Sequence, residues 1–534
     1  MKESDSISQT ELHYFPVVET ASGKLKGMNF GGIHCFRGIP YGATTAGNAR
    51  FMPPRSVAPW TGVREAFGFG QIAPQRPADM NAEYQQLMQW DIQSGGMGED
   101  CLHLNVWTPG LNDGRKRPVF VSIHGGNWDH ASSNTPVYHG DPLARYADAV
   151  VVTVNHRLGS FGFLHLADIA GEPFAHSGNA AMLDLVAALQ WVKANAAAFG
   201  GDPGNVLVFG ESGGGRKVSA LLAMPQATGL FHRAIVQSGS VTSLLTRDQA
   251  TENARRVLDE LGIAPERAAS LQDVPMLALI SAQIRILGRP GSLTFLPVFD
   301  GDVFPRQLTS PQAALPSADV PVIMGTTRDE SSMGMTDYDL SESGLKDYAG
   351  KYFGARAEEV LATFRKAYPD VTPHMLKARI DTHWDRRTRV LRQAEQRSAA
   401  VRAPVWVYRF DAPSPANQGR YGAVHAMDIS LPFHNTLASL TSEPPAYLLK
   451  VMEQMSALWL NFARTGNPNG KAIPDWQPYN KETRITLVID KETRAESDPD
   501  RELRLMREAV GDVGLRSEHQ SFHGTPEGRS WKQD

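Results

Sequence analysis

The sequence predicts an α/β protein: a large, mostly parallel central sheet with helices on both faces and helical insertions forming a cap. Three observations carry this. Short, nearly continuously apolar runs recur along the chain, helical stretches separate them, and glycine-rich turns fall where one gives way to the other. A strand of a parallel sheet is covered on both faces, so it loses the alternation of a half-exposed strand. The runs are "PVFVSI" (118–123), "AVVVTVN" (149–155), "NVLVFG" (205–210), "RAIVQSG" (233–239), "VPVIMG" (320–325), "VWVYRF" (405–410) and "ITLVID" (485–490).

Taken in order, "VVETASGKLKGM" and "GGIHCFRGIPYG" near the start read as hairpin strands with glycine turns. Residues 75–97 are polar, rich in Gln and Met, and end in "SGGMG"; they read as a long excursion placed as a lid. The run 118–123 breaks into "HGGNWDH", a loop able to offer backbone N–H groups to a developing negative charge. After 149–155 comes "GNAAMLDLVAALQWVKANAAAFGGDP", with Met182, Leu185, Leu189 and Val192 at helical spacing and Gly200, Gly201 and Pro203 as the stop. The blocks at about 241–290 and 334–400 have helical patterns and read as inserts between sheet strands.

The 534 residues are expected to form one large domain over 14–512, with insertions at about 75–97, 241–290 and 334–400 and polar termini at 1–13 and 513–534. A net charge of −4 leaves no basic footprint for nucleic acid. No apolar run reaches the length of a membrane span. Two cysteines, Cys35 and Cys101, cannot make a disulfide framework. The first residues are polar and lack the apolar core of a secretory signal, so a cytoplasmic location is expected.

The chemistry starts at Gly210-Glu211-Ser212-Gly213-Gly214, between the run 205–210 and the helix-compatible "KVSALLAM". Glycine–X–serine–X–glycine puts a serine on a strained strand-to-helix turn where only small neighbours fit, and pushes its hydroxyl above the sheet edge. Ser212 is the candidate nucleophile. A serine hydroxyl needs a base within reach and an acid to orient that base, and on this kind of sheet the order is serine, acid, histidine. Asp329 and Glu330 both follow a buried run in "VPVIMGTTRDESS", and the pattern alone does not separate them. Of the later histidines, His374 and His383 sit in a charge-rich helical insert and His519 and His523 in a polar tail. His434 follows in "LPFHN", while His425, in "GRYGAVHAMDISLPF", follows a strand through a glycine-containing loop. His425 is the best-placed base.

These residues, with "FRGIPYG", "GEDCLHLNVWTP", "VNHRLGSFGFL", "FHRAIVQSGS", "GTTRDE" and "WLNFARTGNPN", make the chain resemble the type-B carboxylesterases from about Val17 to Val488. The resemblance implies the α/β-hydrolase fold, Ser212 as nucleophile, Glu330 (over Asp329) as acid and His425 as general base. It also implies Glu211 and Ser238 as residues that support the triad, and an oxyanion hole from Gly126, Asn127 and Gly213. The implied reaction is two-step hydrolysis of small-molecule carboxylic esters through an acyl-enzyme, with no metal or organic cofactor. Pocket walls are expected from the 75–97 excursion, Trp128, "RILGRPGSLTFLPVFDGDVFP" and the region around Phe433.

The chain departs from the family pattern at four places. Asn127 replaces the third glycine of the His-Gly-Gly-Gly loop; asparagine tolerates left-handed backbone, so its N–H stays usable while its side chain fills space beside the scissile bond. Reduced tolerance of bulky tertiary-alcohol esters is expected. Gly213 stands where alanine is usual, at the expected cost of a looser turn. Arg216 and Lys217 put cations in the first turn of the helix, which favours anions; an ion pair with a carboxylate, Glu211 being near in sequence, is expected. Ala73 replaces the cysteine that usually pairs at the "GEDC" motif, leaving Cys101 without that bridge. Two other readings compete: a binding module without catalysis, which a retained triad disfavours, and the same chemistry on a carbamate, amide or aromatic diester.

Overall fold

The computed structural model describes residues 14–77, 83–89, 94–287, 295–308, 316–400, 402–436, 439–441 and 443–513. The terminal segments 1–13 and 514–534, with His519 and His523, lie outside the described residues, as do parts of the 75–97 excursion and residues 288–294.

The strands are β1 (Val17–Thr20), β2 (Gly23–Lys26), β3 (Met28–Phe30), β4 (Ile33–Pro40), β5 (Val63–Glu65), β6 (His103–Thr108), β7 (Arg117–Ile123), β8 (Val150–Val154), β9 (Gly201–Glu211), β10 (Arg233–Gln237), β11 (Val322–Thr327), β12 (Val405–Phe410), β13 (Ile485–Ile489) and β14 (Arg494–Ser497). β1, β2 and β5 form a small sheet; the other eleven form one large sheet in the order β14-β13-β12-β11-β10-β9-β7-β8-β6-β4-β3. The seven apolar runs are β7 to β13, and every pairing among them is parallel. Antiparallel strands extend the sheet at both edges.

The apolar runs are strands because both faces are buried. Along β7, Val119, Val121 and Ile123 point into one core and Phe120 into the other. Along β9, Val206 and Val208 alternate in the same way with Leu207 and Phe209. The helix expected after β8 runs over Ala180–Asn195, with Met182, Leu185, Leu189 and Val192 all buried. A further short turn, Ala196–Phe199, ends at Gly200 in left-handed conformation (φ 74°), and β9 begins at once. The strand leading to Ser212 therefore starts one residue after the glycine that stops the helix.

One buried strand has no apolar run to announce it. β6 interleaves His103, Asn105 and Thr108 with Leu104, Val106 and Trp107, and all six are buried. Asn105 is paired inside: its side chain accepts from Gly38 N–H at 3.0 Å and donates to Thr153 Oγ1 at 3.1 Å. "GGIHCFRGIPYG" is a single strand, β4, whose hairpin partner is β3. Between β10 and β11 lie the helices Arg247–Glu260 and Met276–Leu287; between β11 and β12 lie Glu342–Phe353, Ala357–Ala367, Pro373–Thr382 and Thr388–Ala400. Among the described residues, no helix is long and apolar enough to cross a membrane. Cys35 and Cys101 are both free thiols in the core, and Ala73 is buried in the same cluster as Cys101.

Candidate active site

All the candidate residues emerge from the C-terminal ends of neighbouring parallel strands, the edge where open α/β sheets place their ligands. β7 runs into the His-Gly-Gly loop, β9 into Ser212, β10 into Ser238 and β11 into Asp329 and Glu330; His425 follows β12. β9 is followed by the helix Gly213–Leu221, and the residue between them, Ser212, has φ 54° and ψ −118°, a strained conformation for an L-residue. The turn is pinned by Ser212 N–H to Gln237 O at 2.8 Å and Arg216 N–H to Ser212 O at 2.9 Å. Gly214 has no room for a side chain, since a Cβ there would stand 2.0 Å from the carbonyl oxygen of Ile123.

Ser212 Oγ lies 2.8 Å from His425 Nε2. On the other side of the ring, Nδ1 meets Glu330 Oε2 in a short hydrogen bond. The second Glu330 oxygen accepts from Thr327 N–H at 2.9 Å and from the Ser238 hydroxyl. Burial pushes the Glu330 carboxyl up, but the pull of His425, Arg386 and Ser238 outweighs it and the net shift is downward. His425 is pushed down to about 4, by burial first and the Arg386 charge second, against the pull of Glu330. At neutral pH the ring is therefore neutral and able to accept a proton, beside an ionised Glu330.

Asp329 faces elsewhere. Its carboxylate is fully buried, takes Arg379 Nε at 2.7 Å and Arg328 at 3.3 Å, and accepts Ala423 N–H at 2.8 Å. Its own N–H donates to Ala423 O at 3.0 Å. Asp329 thus pins the loop that carries His425 to the end of β11, while Glu330, one residue on, points at the ring. Glu211 Oε1 stands 3.2 Å from His425 Nδ1. Burial and the nearby Asp428 and Glu330 charges push this carboxyl well up, which favours its protonated form.

The His-Gly-Gly loop lies against the first turn of the helix. A Cβ on Gly213 would stand 1.9 Å from Asn127 O and 2.5 Å from Asn127 N. Gly213 therefore lets the two backbones touch. Asn127 has φ 55° and Gly126 φ 75°, both left-handed. The two unexpected cations bind this loop. Lys217, wholly buried, donates to Asn127 O at 3.0 Å and His124 O at 3.4 Å, and burial pushes its amine down to about 7. Arg216 Nη1 donates to Asn127 Oδ1 at 2.6 Å. The expectation of an ion pair with Glu211 is corrected: the side chain next in reach is a neutral amide across the cleft, because Glu211 turns toward His425.

Sequence reasoning missed Arg386. It lies on the π-helical turn His383–Arg387, and its Nη1 is 3.3 Å from both ring nitrogens of His425 and 3.7 Å from Glu330 Oε2. π-turns recur at functional sites, but no sequence pattern marks one. His374 and His383, on the same insert, are held elsewhere: His374 contacts Asp337 at 3.0 Å, and His383 stacks edge-on against Phe364. Trp128 is buried, with its ring edge-on to Phe163 and Lys217 Nζ 5.8 Å from its centroid. Phe433 is packed between Phe209 and Tyr138 in the core. Of the 75–97 excursion, Gln75 is tied to the loop after Asn127, accepting Ala131 N–H at 2.7 Å and donating to its carbonyl at 3.1 Å.

A parallel sheet with a serine on a strained strand-to-helix turn, facing a buried histidine and carboxylate, defines the α/β-hydrolase class. The carboxylesterase family profile matches residues 15–506. The chain belongs to the carboxylesterase family and is a carboxylic ester hydrolase. It is 36% identical over 498 residues to the para-nitrobenzyl esterase of Bacillus subtilis, covering 91% of this chain and 97% of that one. It is 34% identical over 497 residues to the phenmedipham hydrolase of Pseudarthrobacter oxydans, covering 89% and 95%. Among solved structures, a carboxylesterase of Geobacillus stearothermophilus is 36% identical with a TM-score of 0.78, covering 92% of this chain and 99% of that one. An esterase of Clostridium hathewayi that can hydrolyse aliphatic aromatic polyesters is 35% identical with a TM-score of 0.79, covering 93% and 98%.

Proposed function

We propose that the chain hydrolyses carboxylic esters through a Ser212–His425–Glu330 triad and an acyl-enzyme intermediate. The observation that carries this reading is the unbroken relay from Ser212 Oγ to His425 Nε2 at 2.8 Å and from Nδ1 to Glu330. His425 takes the hydroxyl proton as Ser212 attacks the ester carbonyl, and Glu330 stabilises the imidazolium that forms. The proton then passes to the departing alcohol, and a water activated by the same ring cleaves the acyl-enzyme. The N–H groups of Gly126, Asn127 and Gly213 receive the oxyanion. Glu211 and Ser238 hold the ring and the Glu330 carboxylate in place, Trp128 and Phe433 support the pocket from behind, and residues 14–512 act as one catalytic domain.

A second reading keeps this chemistry and changes the substrate to an aromatic diester. It is favoured by the similarity to an esterase that can hydrolyse aliphatic aromatic polyesters. The test is a panel of esters varied in acyl length, alcohol bulk and aromatic content, run beside Ser212→Ala. The variant is expected to lose all measurable turnover across the panel; full activity would overturn the triad assignment.

A further inference from the structure

Two arginines flank Ser212, and the carboxylate paired with one of them, Glu330 beside Arg386, is shared with His425. Arg216 leaves the first turn of the nucleophile helix and spends one nitrogen, Nη1, on Asn127 Oδ1. Its Nε and Nη2 donate to none of the described residues. Arg386 lies against the His425 ring through Nη1, and its Nε is buried without a partner. The carboxylates around them are already committed. Asp385 is paired with Arg389 at 2.5 Å, and Asp428 accepts from Tyr408 Oη at 2.6 Å. Glu211 lies 3.2 Å from His425 Nδ1, and Glu330 is bound to the same nitrogen. Among the described residues, the carboxylate paired with Arg386, Glu330 at 3.7 Å, already serves the imidazole, and Arg216 has no ion pair of its own.

This arrangement is costly for an enzyme of neutral esters. Two partly desolvated cations repel each other, and Arg386 opposes the imidazolium that the reaction must form. Both costs fall if the substrate itself brings a negative charge. Guanidinium forks suit a carboxylate, which accepts two parallel N–H bonds.

We propose that Arg216 and Arg386 form an anion-binding subsite beside Ser212, and that the preferred substrates are esters carrying a free carboxylate a few bonds from the scissile carbonyl. The proposal rests on Ser212 being the nucleophile. A carboxylate held there fixes the ester against the Asn127 loop and offsets the Arg386 charge as His425 takes its proton. Half-esters of dicarboxylic acids and esters of hydroxy acids are the simplest members of this class.

The test compares pairs matched in length. Monoethyl glutarate and monoethyl adipate are set against ethyl pentanoate and ethyl hexanoate, and 4-acetoxybutanoate against butyl acetate, by titration of released acid at pH 8. The wild-type protein is expected to show higher kcat/KM for the charged member of at least one pair. Arg216→Met and Arg386→Met should each lower that charged-to-neutral ratio roughly ten- to a hundredfold, the loss of a charge-assisted bond in the transition state. Each ratio is taken on one preparation, so partial misfolding of a variant cancels. No preference in any pair, or a preference that neither variant lowers, would overturn the subsite. Ser212→Ala separates the two levels: activity surviving in it sinks the triad, whereas its silence with a flat wild-type panel sinks the subsite alone.

Discussion

Arg216 and Asn127, each a departure from the family pattern, are bonded to each other: Arg216 Nη1 donates to Asn127 Oδ1 at 2.6 Å. The asparagine side chain therefore bridges from the loop of β7 to the first turn of the helix after Ser212. Its backbone sits at φ 55°, where glycine is unstrained and a β-carbon is not.

Asn127→Gly should remove that bridge, relieve the backbone and open space beside the scissile bond. The expected result is a rise in tert-butyl acetate turnover relative to ethyl acetate, with thermal stability held or raised. Asn127→Ala keeps the left-handed strain without the amide and should cost about 1 kcal/mol relative to glycine. Rate ratios and thermal melts of the two variants check both parts. An unchanged primary-to-tertiary ratio in Asn127→Gly would refute the steric role.

Gly213→Ala, the residue usual in the family, should be harmful here. The added Cβ would stand 1.9 Å from Asn127 O, so the loop and the helix must part. On the proposed oxyanion hole, displacing a donor should lower kcat by roughly a hundred- to a thousandfold. Because the clash is with left-handed backbone at 127, Gly213→Ala combined with Asn127→Gly should recover part of the loss, the freed glycine allowing the loop to shift. Additive losses in that double-mutant cycle would show that the two positions are independent.

The sheet was legible in the sequence because its physics is local to each strand: a strand buried on both faces is favoured by a near-continuous apolar run, and all seven such runs are β7 to β13. β6 was not, because it buries polar residues, and the one at its centre, Asn105, is satisfied by neighbours far away in sequence. Ser212 was legible because its turn demands glycines at fixed offsets. Asp329 and Glu330 were inseparable by pattern, since which carboxylate turns to the histidine depends on Arg379 reaching the other one from 50 residues away. Arg386 and the Arg216–Asn127 bridge were invisible for the same reason: each is a contact between elements with no shared local pattern.

Arg386→Gln should move the acid limb of activity upward in pH. Burial and the Arg386 charge hold His425 down to about 4. Only the neutral ring can act as base, so kcat/KM falls as pH drops through the pKa of the free enzyme. A neutral glutamine removes the repulsion, the pKa rises toward the ordinary value near 6.5, and activity is lost at a higher pH than in the parent. The pH profile of kcat/KM with ethyl pentanoate checks this. A limb that stays in place would mean that burial alone sets the basicity of the ring.

Lys217→Met separates stability from activity. The Lys217 amine is pushed from 10.5 down to about 7 by burial, with Asp129 pulling the other way. Between those values the unfolded chain binds more protons at this site than the folded one, so the lysine makes stability rise with pH across that window. At pH 7 and below the cost of burying the charge is fully present; above about 10.5 it is gone. Methionine fits a buried apolar site and carries no charge, so the stability of the parent relative to the variant should improve as pH rises from 7 toward 10. Denaturant melts at a series of pH values measure that slope. Activity should move the other way. The amine holds the carbonyls of His124 and Asn127, on either side of the two glycines, and without it the loop is free to drift. A displacement near 1 Å costs on the order of a hundredfold in rate, so kcat should fall while the fold survives. Equal kcat in parent and variant would show that the Gly213 contact and the Arg216 bridge suffice to hold the loop.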